Sequence, residues 1–482
     1  MHFAIITRVL GMLLVIFSLS MLTPVLVAFI YGEDTSPTFV LAFAITLIIG
    51  MIFWLPSRQA RGELRTRDGF VVTVFFWLVL SSFGALPLML SDALNLSFID
   101  ALFESVSGLT TTGATVIAGL DNLPKSILYY RQQLQWLGGI GIVVIAVAIL
   151  PMLGVGGMQI YRAETPGPMK DSKLTPRITE TANVLFRIYL CLTIACALAY
   201  WAAGMSGFDA ISHSFSTVSI GGFSTHDASI GFFDNSAIMA ICCFFMIIAG
   251  LNFALHFHAW HSRRPSMYWA DPEARMYLFL LMIGAIITCS YLYYSGTFDG
   301  SESVRQGTFQ LISIMTTTGF TTSEFHSWPS FLPFFLIFLS FFGACAGSTG
   351  GGIKIGRMLI LGQQCIRELY RLVHPNALLP IKIHNRGVPN RVADAIWAFF
   401  GAYLAIFYLM VLLLLASGLD YVTAWSATAA SLNNLGPGLG EVAINYAEIN
   451  GFAKWVLCWG MLLGRLEIFT LLVLLTPTFW RN

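Results

Sequence analysis

The composition of this 482-residue chain excludes a soluble globular protein. Hydrophobic residues make up 56% of the chain and charged residues 11%, and the mean hydropathy is +0.75. Because a soluble domain carries about 25% charged residues, we expect an integral membrane protein embedded in a lipid bilayer. The formal net charge of +1 gives no indication of nucleic-acid binding. The eight cysteines lie almost wholly in apolar segments without metal-ligand spacing, which predicts reduced core thiols.

Ten apolar runs are long enough to span a membrane, which takes roughly 20 residues in a helix. They cover 9–31, 38–55, 70–90, 128–153, 184–204, 236–260, 277–294, 331–360, 393–418 and 453–478. The first is too long for the core of a signal peptide, so we expect it to remain as a helix. Basic residues fall between alternate spans, from Arg58 to Arg67 in the first such loop and from Lys354 to Arg391 in the last. This asymmetry predicts that these loops and both termini are cytoplasmic.

Four short polar segments that end in glycine interrupt the apolar chain. They are Thr110–Gly113, Ser219–Gly222, Thr316–Gly319 and Asn433–Gly436, each followed 28 residues later by a second glycine (Gly141, Gly250, Gly347 and Gly464). A short amphipathic stretch precedes each segment, over Ile99–Leu109, Phe208–Val218, Val304–Met315 and Tyr421–Leu432. These stretches are too short to span a bilayer, so we predict four re-entrant helices. Asp100 and Asp209 lie at matching positions near their starts, where an acidic residue can cap the helix.

The repeated pattern predicts an all-α integral membrane protein with about ten transmembrane helices. Every polar segment follows an odd-numbered span and is therefore predicted on the outer side of the membrane. The four helix/pore-loop/helix repeats are then parallel, and we expect them in a pseudo-fourfold arrangement around one pore. The predicted units are an N-terminal two-helix unit (1–60), repeat 1 (61–180), repeat 2 (181–272), repeat 3 with a glycine gate loop (273–390) and repeat 4 (391–482).

The four polar segments have the chemistry of a cation filter. The C-terminal end of each short helix carries a partial negative charge, and main-chain carbonyls can replace the water shell of an ion. We therefore predict cation ligands at and just before each glycine. The predicted filter residues are Thr111, Thr112, Gly113, Ile220, Gly221, Gly222, Thr317, Thr318, Gly319, Asn434, Leu435 and Gly436. The alternative for any single segment is an ordinary turn between helices.

A run of glycines predicts a gate below this filter. The third post-filter helix contains Gly347, Ser348, Thr349, Gly350, Gly351 and Gly352, and we expect a loop there that blocks the pore. The alternative is a glycine hinge that lets helices pack closely. Arg465 lies inside an apolar span at the position equivalent to Ser348, so we expect it beside the loop as an electrostatic barrier. Pairing of Arg465 with Glu467 is the alternative.

Several further motifs accompany the four filters. They are Tyr161–Glu164, Gly343–Gly352, Leu372–Ala377 and Thr476–Arg481. With these motifs the chain resembles, over its full length, the Trk/Ktr/HKT superfamily of potassium transporters, and within it the TrkH/TrkG membrane subunits. The resemblance implies potassium as the transported ion, because glycine occupies all four filter positions, and it implies the same gating role for Arg465. It also implies a bacterial inner-membrane homodimer with a pore in each chain, regulated by a cytosolic TrkA-like nucleotide-binding ring that docks on the cytoplasmic loops. We expect 354–391 to form part of that docking surface.

Other readings of the sequence are less well supported. An ion-coupled potassium symporter, driven by protons or sodium, would favour paired intramembrane carboxylates or inverted repeats, and neither is found. A membrane enzyme would need a nucleophile with a base or a metal cluster, for which His256, His258 and His261 are the sole candidates. We therefore predict neither enzymatic activity nor a cofactor. Glu104 remains a candidate for support of the filter, with local capping as the alternative. Asn252 remains a candidate for a hydrogen bond across the pore, with a hydrogen bond between helices as the alternative.

Overall fold

The computed structural model describes residues 2–60, 66–139, 141, 178–375, 379–383 and 386–481. The predictions for Tyr161–Glu164 and for the end of the span at 128–153 lie outside the described residues. Within these ranges, the one sheet is an antiparallel pair of two-residue strands, β1 (Lys382–Ile383) and β2 (Arg386–Gly387). The remaining elements are helices, which confirms the predicted all-α class.

The helices are numbered in chain order. Before the second repeat they are α1 (Phe3–Ser20), α2 (Leu22–Tyr31), α3 (Ser36–Ser57), α4 (Thr66–Gly84), α5 (Leu86–Met89), α6 (Phe98–Leu109) and α7 (Lys125–Gly139). Then come α8 (Ile178–Ala202), α9 (Gly207–Ser219), α10 (Ser236–Ala249), α11 (Phe253–Ser262), α12 (Met267–Ala270), α13 (Pro272–Tyr294), α14 (Gly300–Met315), α15 (Phe331–Ser340) and α16 (Ile355–Val373). The last are α17 (Asn390–Ala416), α18 (Tyr421–Leu432), α19 (Gly451–Arg465), α20 (Phe469–Leu475) and α21 (Pro477–Trp480), with 3₁₀ turns at Leu120–Asn122, Ser229–Phe233, Phe325–Ser327 and Gly440–Val442.

A short helix precedes each polar segment, and a side chain caps its start. The N-cap residues are Ser97 for α6, Ser206 for α9, Asp299 for α14 and Asp420 for α18. The prediction that Asp100 and Asp209 are the caps is therefore wrong. Each lies in the first turn and accepts a hydrogen bond from the capping serine hydroxyl, at 2.6 Å and 2.7 Å. A serine at N-cap with an acidic residue at N3 satisfies the free backbone amides better than the carboxylate alone.

The described part of the chain holds six helices long and apolar enough to cross a membrane, or eight if two bent pairs count as spans. The pairs are α10 with α11, bent by 93°, and α19 with α20, bent by 114°. The third repeat is unwound between Ser340 and Ile355. The runs predicted over 236–260 and 453–478 are therefore each broken, and the run over 331–360, where the sequence predicts a break at 347–352, is unwound over a longer stretch. At the breaks of the second and third repeats, backbone groups pair with another repeat, the N–H of Phe253 with the carbonyl of Gly347 and the N–H of Gly352 with the carbonyl of Asn433.

The N-terminal unit packs on the first repeat. A β-carbon on Gly11 of α1 would lie 2.6 Å from the backbone nitrogen of Trp54 in α3, so the absence of a side chain permits the close approach of these helices. Gln133 of α7 donates to the carbonyl of Ser20, at 3.0 Å, and accepts from the hydroxyl of Thr23, at 2.9 Å. These contacts join the N-terminal unit to α7 of the first repeat.

Candidate ion-conducting site

All four polar segments have the same backbone conformation. The residue two before each filter glycine is left-handed, with φ of 55° at Thr111, 56° at Ile220, 66° at Thr317 and 53° at Asn434. The glycines follow with φ of 81°, 79°, 85° and 97° at Gly113, Gly222, Gly319 and Gly436. The φ values of these glycines, 79° to 97°, lie beyond the small left-handed region near +50° to +70° that residues with a side chain can occupy, so the backbone requires glycine at these positions.

The same hydrogen bond closes each segment onto the end of its helix. The residue before the glycine donates its backbone N–H to the carbonyl six positions before the glycine. These bonds join Thr112 to Ser107 (2.9 Å), Gly221 to Ser216 (2.8 Å), Thr318 to Ser313 (2.8 Å) and Leu435 to Ala430 (2.7 Å). Because the backbone forms the bond, Ala430 serves as well as the three serines.

Each loop lies against the loop of the next repeat. A β-carbon on each filter glycine would overlap the carbonyl oxygen that precedes the filter glycine of the neighbouring repeat. The contacts are Gly113 with Gly221, Gly222 with Thr318, Gly319 with Leu435, and Gly436 with Thr112. The fourth contact returns to the first repeat, so eight of the twelve predicted filter residues meet in one closed circuit of loops.

Side chains hold these loops in two different ways. In the first and third loops the threonine hydroxyls pair within the loop, Thr110 with Thr112 at 2.7 Å and Thr316 with Thr318 at 2.8 Å. In the fourth, neighbours supply the bonds. Asn433 donates to the hydroxyl of Ser340, at 2.9 Å, and accepts from the hydroxyl of Tyr403, at 2.6 Å. Asn434 donates to the hydroxyl of Thr112, at 3.0 Å. The hydroxyl of Tyr446 donates to the carbonyl of Gly436, at 2.7 Å.

The second loop is held by Gln135 of α7, which the sequence predictions missed. Its side-chain amide donates to the carbonyl of Gly221, at 2.5 Å, and accepts from the backbone N–H of Phe223, at 3.0 Å. Gln132, one turn earlier, donates to the carbonyl of Phe223 at 3.1 Å. The available sequence signal was a group of three glutamines in a helix predicted to cross the membrane.

A buried ion pair links the first two filter loops. Glu104 of α6 and Arg131 of α7 are almost fully buried and lie 2.7 Å apart. The carboxylate also accepts from the backbone N–H of Val116, at 3.0 Å, and Arg131 donates to the carbonyl of Ser224 in the second loop, at 3.3 Å. Of the two roles considered for Glu104, the structure favours filter support. The sequence predictions assigned no role to Arg131.

The predicted gate residues lie in a loop directly against the filter. The loop covers residues 341–354 and is wider than the predicted break at 347–352, because α15 already ends at Ser340. Thr349 donates to the carbonyl of Val218 (3.0 Å), the N–H of Gly351 donates to the hydroxyl of Thr317 (2.7 Å), and the N–H of Gly352 donates to the carbonyl of Asn433 (3.1 Å). The loop thus contacts the ends of the pore helices of the second, third and fourth repeats.

The rest of this loop is tied at both ends. The carbonyl of Gly347 accepts from the backbone N–H of Phe253, at 3.1 Å, and the Ser348 hydroxyl donates to the carbonyl of Cys345, at 2.6 Å. The Lys354 ammonium donates to the carbonyl of Gly350. Glu273 of α13 accepts from the N–H groups of Ala346 (2.6 Å) and Gly356 (2.9 Å), which closes both ends with one carboxylate.

Arg465 joins the loop to the filter and to the first repeat. Its guanidinium donates to the carbonyl of Thr349, at 3.1 Å, and to the hydroxyl of the filter residue Thr111, at 3.3 Å. It also donates to the carbonyls of Gly138 and Gly139 at the end of α7, at 2.5 Å and 2.9 Å. Glu467, the alternative partner considered above, forms an ion pair with Arg357. The charge of Arg465 therefore lies next to the first filter loop.

The remaining candidate residues have local roles. Asn252 caps α11 by accepting from the N–H of Ala254 at 2.8 Å, so the predicted bond across the pore is replaced by an N-cap. His256 contacts the hydroxyl of Tyr268, at 2.8 Å, and the carbonyl of Ile248, at 3.0 Å. Among the described residues, no three His, Cys, Asp or Glu side chains are grouped as a metal site.

A histidine lies between two carboxylates in the segment that follows the second loop. His226 is 2.5 Å from Asp121 and 3.4 Å from Asp209, and its ring stacks on Phe232 at a centroid distance of 3.5 Å. Burial alone would lower the pKa of His226, but its contacts with Asp209 and Asp121 raise it above the ordinary value. The hydrogen bond from His226 lowers the pKa of Asp121.

Comparison with known proteins gives a consistent result. The family model described as "TrkH: Cation transport protein" matches residues 35–481. The chain is 55% identical over 482 residues to the Trk system potassium uptake protein TrkH of Halomonas elongata, and 53% identical over 483 residues to that of Escherichia coli K12, with each alignment covering 100% of both chains. The crystal structure of the potassium transporter TrkH from Vibrio parahaemolyticus has 53% sequence identity and a TM-score of 0.91, and covers 100% of both chains. These matches are to transporters and not to enzymes, and the chain belongs to the TrkH family of cation transport proteins.

Proposed function

We propose that this protein is the pore-forming, channel-like subunit of a Trk system for potassium uptake. The observation that carries the proposal is the circuit of four loops, in which each filter glycine abuts the carbonyl that precedes the next one. Eight main-chain oxygens, from the four glycines and the residues before them, are the inferred ligands. The backbone-specific geometry explains why Ile220, Asn434 and Leu435 can replace threonine in the second and fourth loops. The relatives are named for potassium uptake, which supports potassium as the cargo.

The gate proposal rests on the loop at 341–354. Gly351 bonds the filter residue Thr317, and Arg465 bonds both the loop residue Thr349 and the filter residue Thr111. An ion leaving the filter toward the cytoplasm meets this loop and the guanidinium charge. The described conformation therefore corresponds to a closed pore, and conduction requires that the loop and Arg465 move.

The assembly is also a proposal. We infer ten spans, with four parallel repeats around one axis, both termini in the cytoplasm, and a location in the bacterial inner membrane. The basic loops and the six to eight described spans support this topology. We further propose, from the resemblance noted in the sequence, a homodimer with one pore per chain and a cytosolic TrkA-like nucleotide-binding ring that docks partly on 354–391. The exposed apolar residues Leu369, Leu372 and Val373 at the end of α16 offer a surface for such contacts.

Cation flux into proteoliposomes tests the filter. Uptake of potassium, rubidium, sodium and lithium is compared for the wild type and Gly113→Ser. We expect wild-type preference for potassium and rubidium, and loss of that preference in the variant, because the new side chain overlaps the carbonyl of Gly221. Gly119→Ser is the matched control, since Gly119 also has positive φ, of 74°, but has open space around it.

The outcome separates the two transport mechanisms. A wild type that is indifferent to the cation, or a Gly113→Ser variant with unchanged preference, would contradict the filter assignment. Obligatory movement of a proton or sodium ion with each potassium ion, measured with a pH-sensitive dye and tracer sodium in the same vesicles, would instead establish the ion-coupled symporter. Passive flux down the potassium gradient alone would establish the channel-like pore.

A further inference from the structure

The second filter loop lacks the internal bracing of the first and third loops. Those loops place threonine three residues and one residue before the glycine, and the two hydroxyls pair at 2.7 Å and 2.8 Å. The second loop has Ser219 and Gly221 at these positions. Gly221 has no hydroxyl, and the hydroxyl of Ser219 donates to the carbonyl of Ser216, at 3.2 Å. Two successive glycines also make this loop intrinsically the most flexible of the four.

Gln135 occupies the space that a side chain at position 221 would fill. A β-carbon on Gly221 would overlap the amide group of Gln135. Gln135 is fully buried, and its amide binds the backbone on both sides of Gly222, through the carbonyl of Gly221 (2.5 Å) and the N–H of Phe223 (3.0 Å). One side chain of the first repeat therefore fixes the orientation of two successive peptide groups in the second loop.

No other repeat has an amide at the equivalent position. Gln135 lies 22 residues after its filter glycine, and the residues at that distance in the other repeats are Phe244, Phe341 and Cys458. Among the four repeats, a double glycine ends the polar segment of the second alone, and a glutamine lies 22 residues after the filter glycine in the first alone. The structure places this glycine pair and this glutamine in contact. This one-to-one correspondence indicates that the glutamine compensates for the missing hydroxyl of the second loop.

We propose that Gln135 is a positioning residue for ion selectivity, which replaces in the second filter loop the threonine bracing of the first and third loops. The inference rests on the filter proposed above and adds a selectivity-determining residue outside the four loops. A filter that discriminates potassium from the smaller sodium ion must keep its carbonyls from closing around sodium. The amide of Gln135 holds the Gly221 carbonyl by a hydrogen bond and limits that movement.

The test compares Gln135→Ala with Gln133→Ala in proteoliposomes. Both glutamines are buried in α7, but Gln133 bonds the N-terminal unit at Ser20 and Thr23 and does not contact the filter. We expect Gln135→Ala to reduce the potassium-to-sodium flux ratio about fivefold, which corresponds to the loss of about one net hydrogen bond. Gln133→Ala should keep the wild-type ratio. Gln135→Met, which keeps the volume but removes the polar groups, provides a second variant if the alanine protein is poorly folded.

A compensating substitution gives a positive result that a merely structural role would not produce. Gly221→Thr alone should reduce flux, because the threonine collides with Gln135. In the double variant Gln135→Ala, Gly221→Thr the collision is removed and the new hydroxyl can pair with Ser219, so the potassium-to-sodium ratio should return to within about twofold of wild type. The melting temperature of each variant shows whether a change in ratio accompanies unfolding.

Two results would overturn the inference. If Gln135→Ala and Gln135→Met keep the wild-type ratio while Gly113→Ser loses it, the filter is correct and Gln135 has no part in selectivity. If the ratio falls equally in Gln135→Ala and Gln133→Ala, the effect is one of general packing. A wild type that itself shows no cation preference is a separate outcome, which would contradict the proposed filter and, with it, the role of Gln135.

Discussion

The two ends of the repeats, which we propose as the outer half at the filter and the inner half at the second glycines, differ in how closely they follow one pattern. At the filter, the four loops share the same left-handed residues and the same closing hydrogen bond. At the second glycines, 28 residues later, the helices bend by 93° in the second repeat and by 114° in the fourth, and the third is unwound over 341–354. Equal spacing in the sequence therefore does not produce equal structure at both ends.

The difference matches the tasks we propose for the two halves. Coordination of one ion by main-chain oxygens requires that all four loops present the same backbone to the same point. Closure of a pore requires one obstacle, so a single repeat can supply the loop while the others provide its anchors. The anchors at Val218, Asn433 and Arg465 come from repeats other than the one that supplies the loop. Predictions that disturb one half and leave the other intact test this division.

The largest expected effect is on the outer half, at the buried pair of Glu104 and Arg131. Glu104→Gln leaves the guanidinium of Arg131 buried without its charged partner, which typically costs about 3–5 kcal/mol of stability. Thermal unfolding of the purified protein in detergent measures the loss. Glu302→Gln, which removes a half-buried partner of Arg305, is the control and should cost no more than about 1 kcal/mol. Equal effects of the two substitutions would contradict the role of the buried pair.

The next largest effect is expected on the inner half, at Arg465. Arg465→Ala removes the bonds to Thr349 and Thr111 together with the charge, so the closed state should lose about 2–3 kcal/mol. Such a change shifts a two-state equilibrium by roughly 50-fold, and rubidium uptake in the absence of any cytosolic partner should rise accordingly. Deletion of Gly350–Gly352 should also raise rubidium uptake in the absence of a cytosolic partner. Flux no greater than that of Arg305→Ala, a control on the outer surface, would remove the gate assignment.

A smaller effect is expected where the two halves meet. Thr317→Val keeps the shape of a filter side chain but leaves the N–H of Gly351 without its acceptor, now 2.7 Å away. The loss of about 1 kcal/mol should raise partner-independent flux about fivefold, and the cation preference should remain because the filter carbonyls are unchanged. Thr428→Val, within the fourth pore helix, removes a hydroxyl that bonds its own helix and should leave the flux unaltered. A fall in cation preference without a rise in flux would show that Thr317 serves the filter alone.

The same division explains which parts of the molecule could be predicted from the sequence. The pore helices α6, α9 and α18 begin and end within one residue of the predicted bounds, because capping residues and amphipathic periodicity are local signals. The sequence predicts the start of α14 four residues too late, since its cap is Asp299 and not a residue at the position that matches the caps of the other repeats. The glycines that end the four polar segments are predictable for the same reason, because their conformation is set by the loop itself, while their role in a filter stays a prediction.

The inner breaks and the braces of the filter depend on partners far away in the chain. Nothing in the apolar run around Gly250 predicts a bend of 93°, since the break is stabilised by pairing of Phe253 with Gly347 and of Cys345 with Gly250. Gln135 similarly binds a loop 86 positions later. Such contacts follow from the order of the repeats around the site, which the hydropathy pattern does not contain.

The smallest expected effect concerns the outer loops, where the repeats again diverge. The raised pKa of His226 means that the protonated ring, between Asp121 and Asp209, stabilises the folded state. This contribution is fully present below the unfolded pKa, near 6.5, and is lost as the pH rises through the raised folded value. The melting temperature of the wild type should therefore fall more between pH 6 and 9 than that of His226→Gln. The contribution of His226 to the free energy of unfolding should stay below about 1 kcal/mol, because His226 is partly solvated.

His326→Gln, in the corresponding outer region of the third repeat, is the control for this pH dependence. It should keep the wild-type slope, since no carboxylate pair equivalent to Asp121 and Asp209 brackets position 326 among the described contacts. A His226→Gln protein with the wild-type slope would show that another group titrates in this range. Potassium preference should be the same at both ends of the pH range, because the filter carbonyls do not titrate.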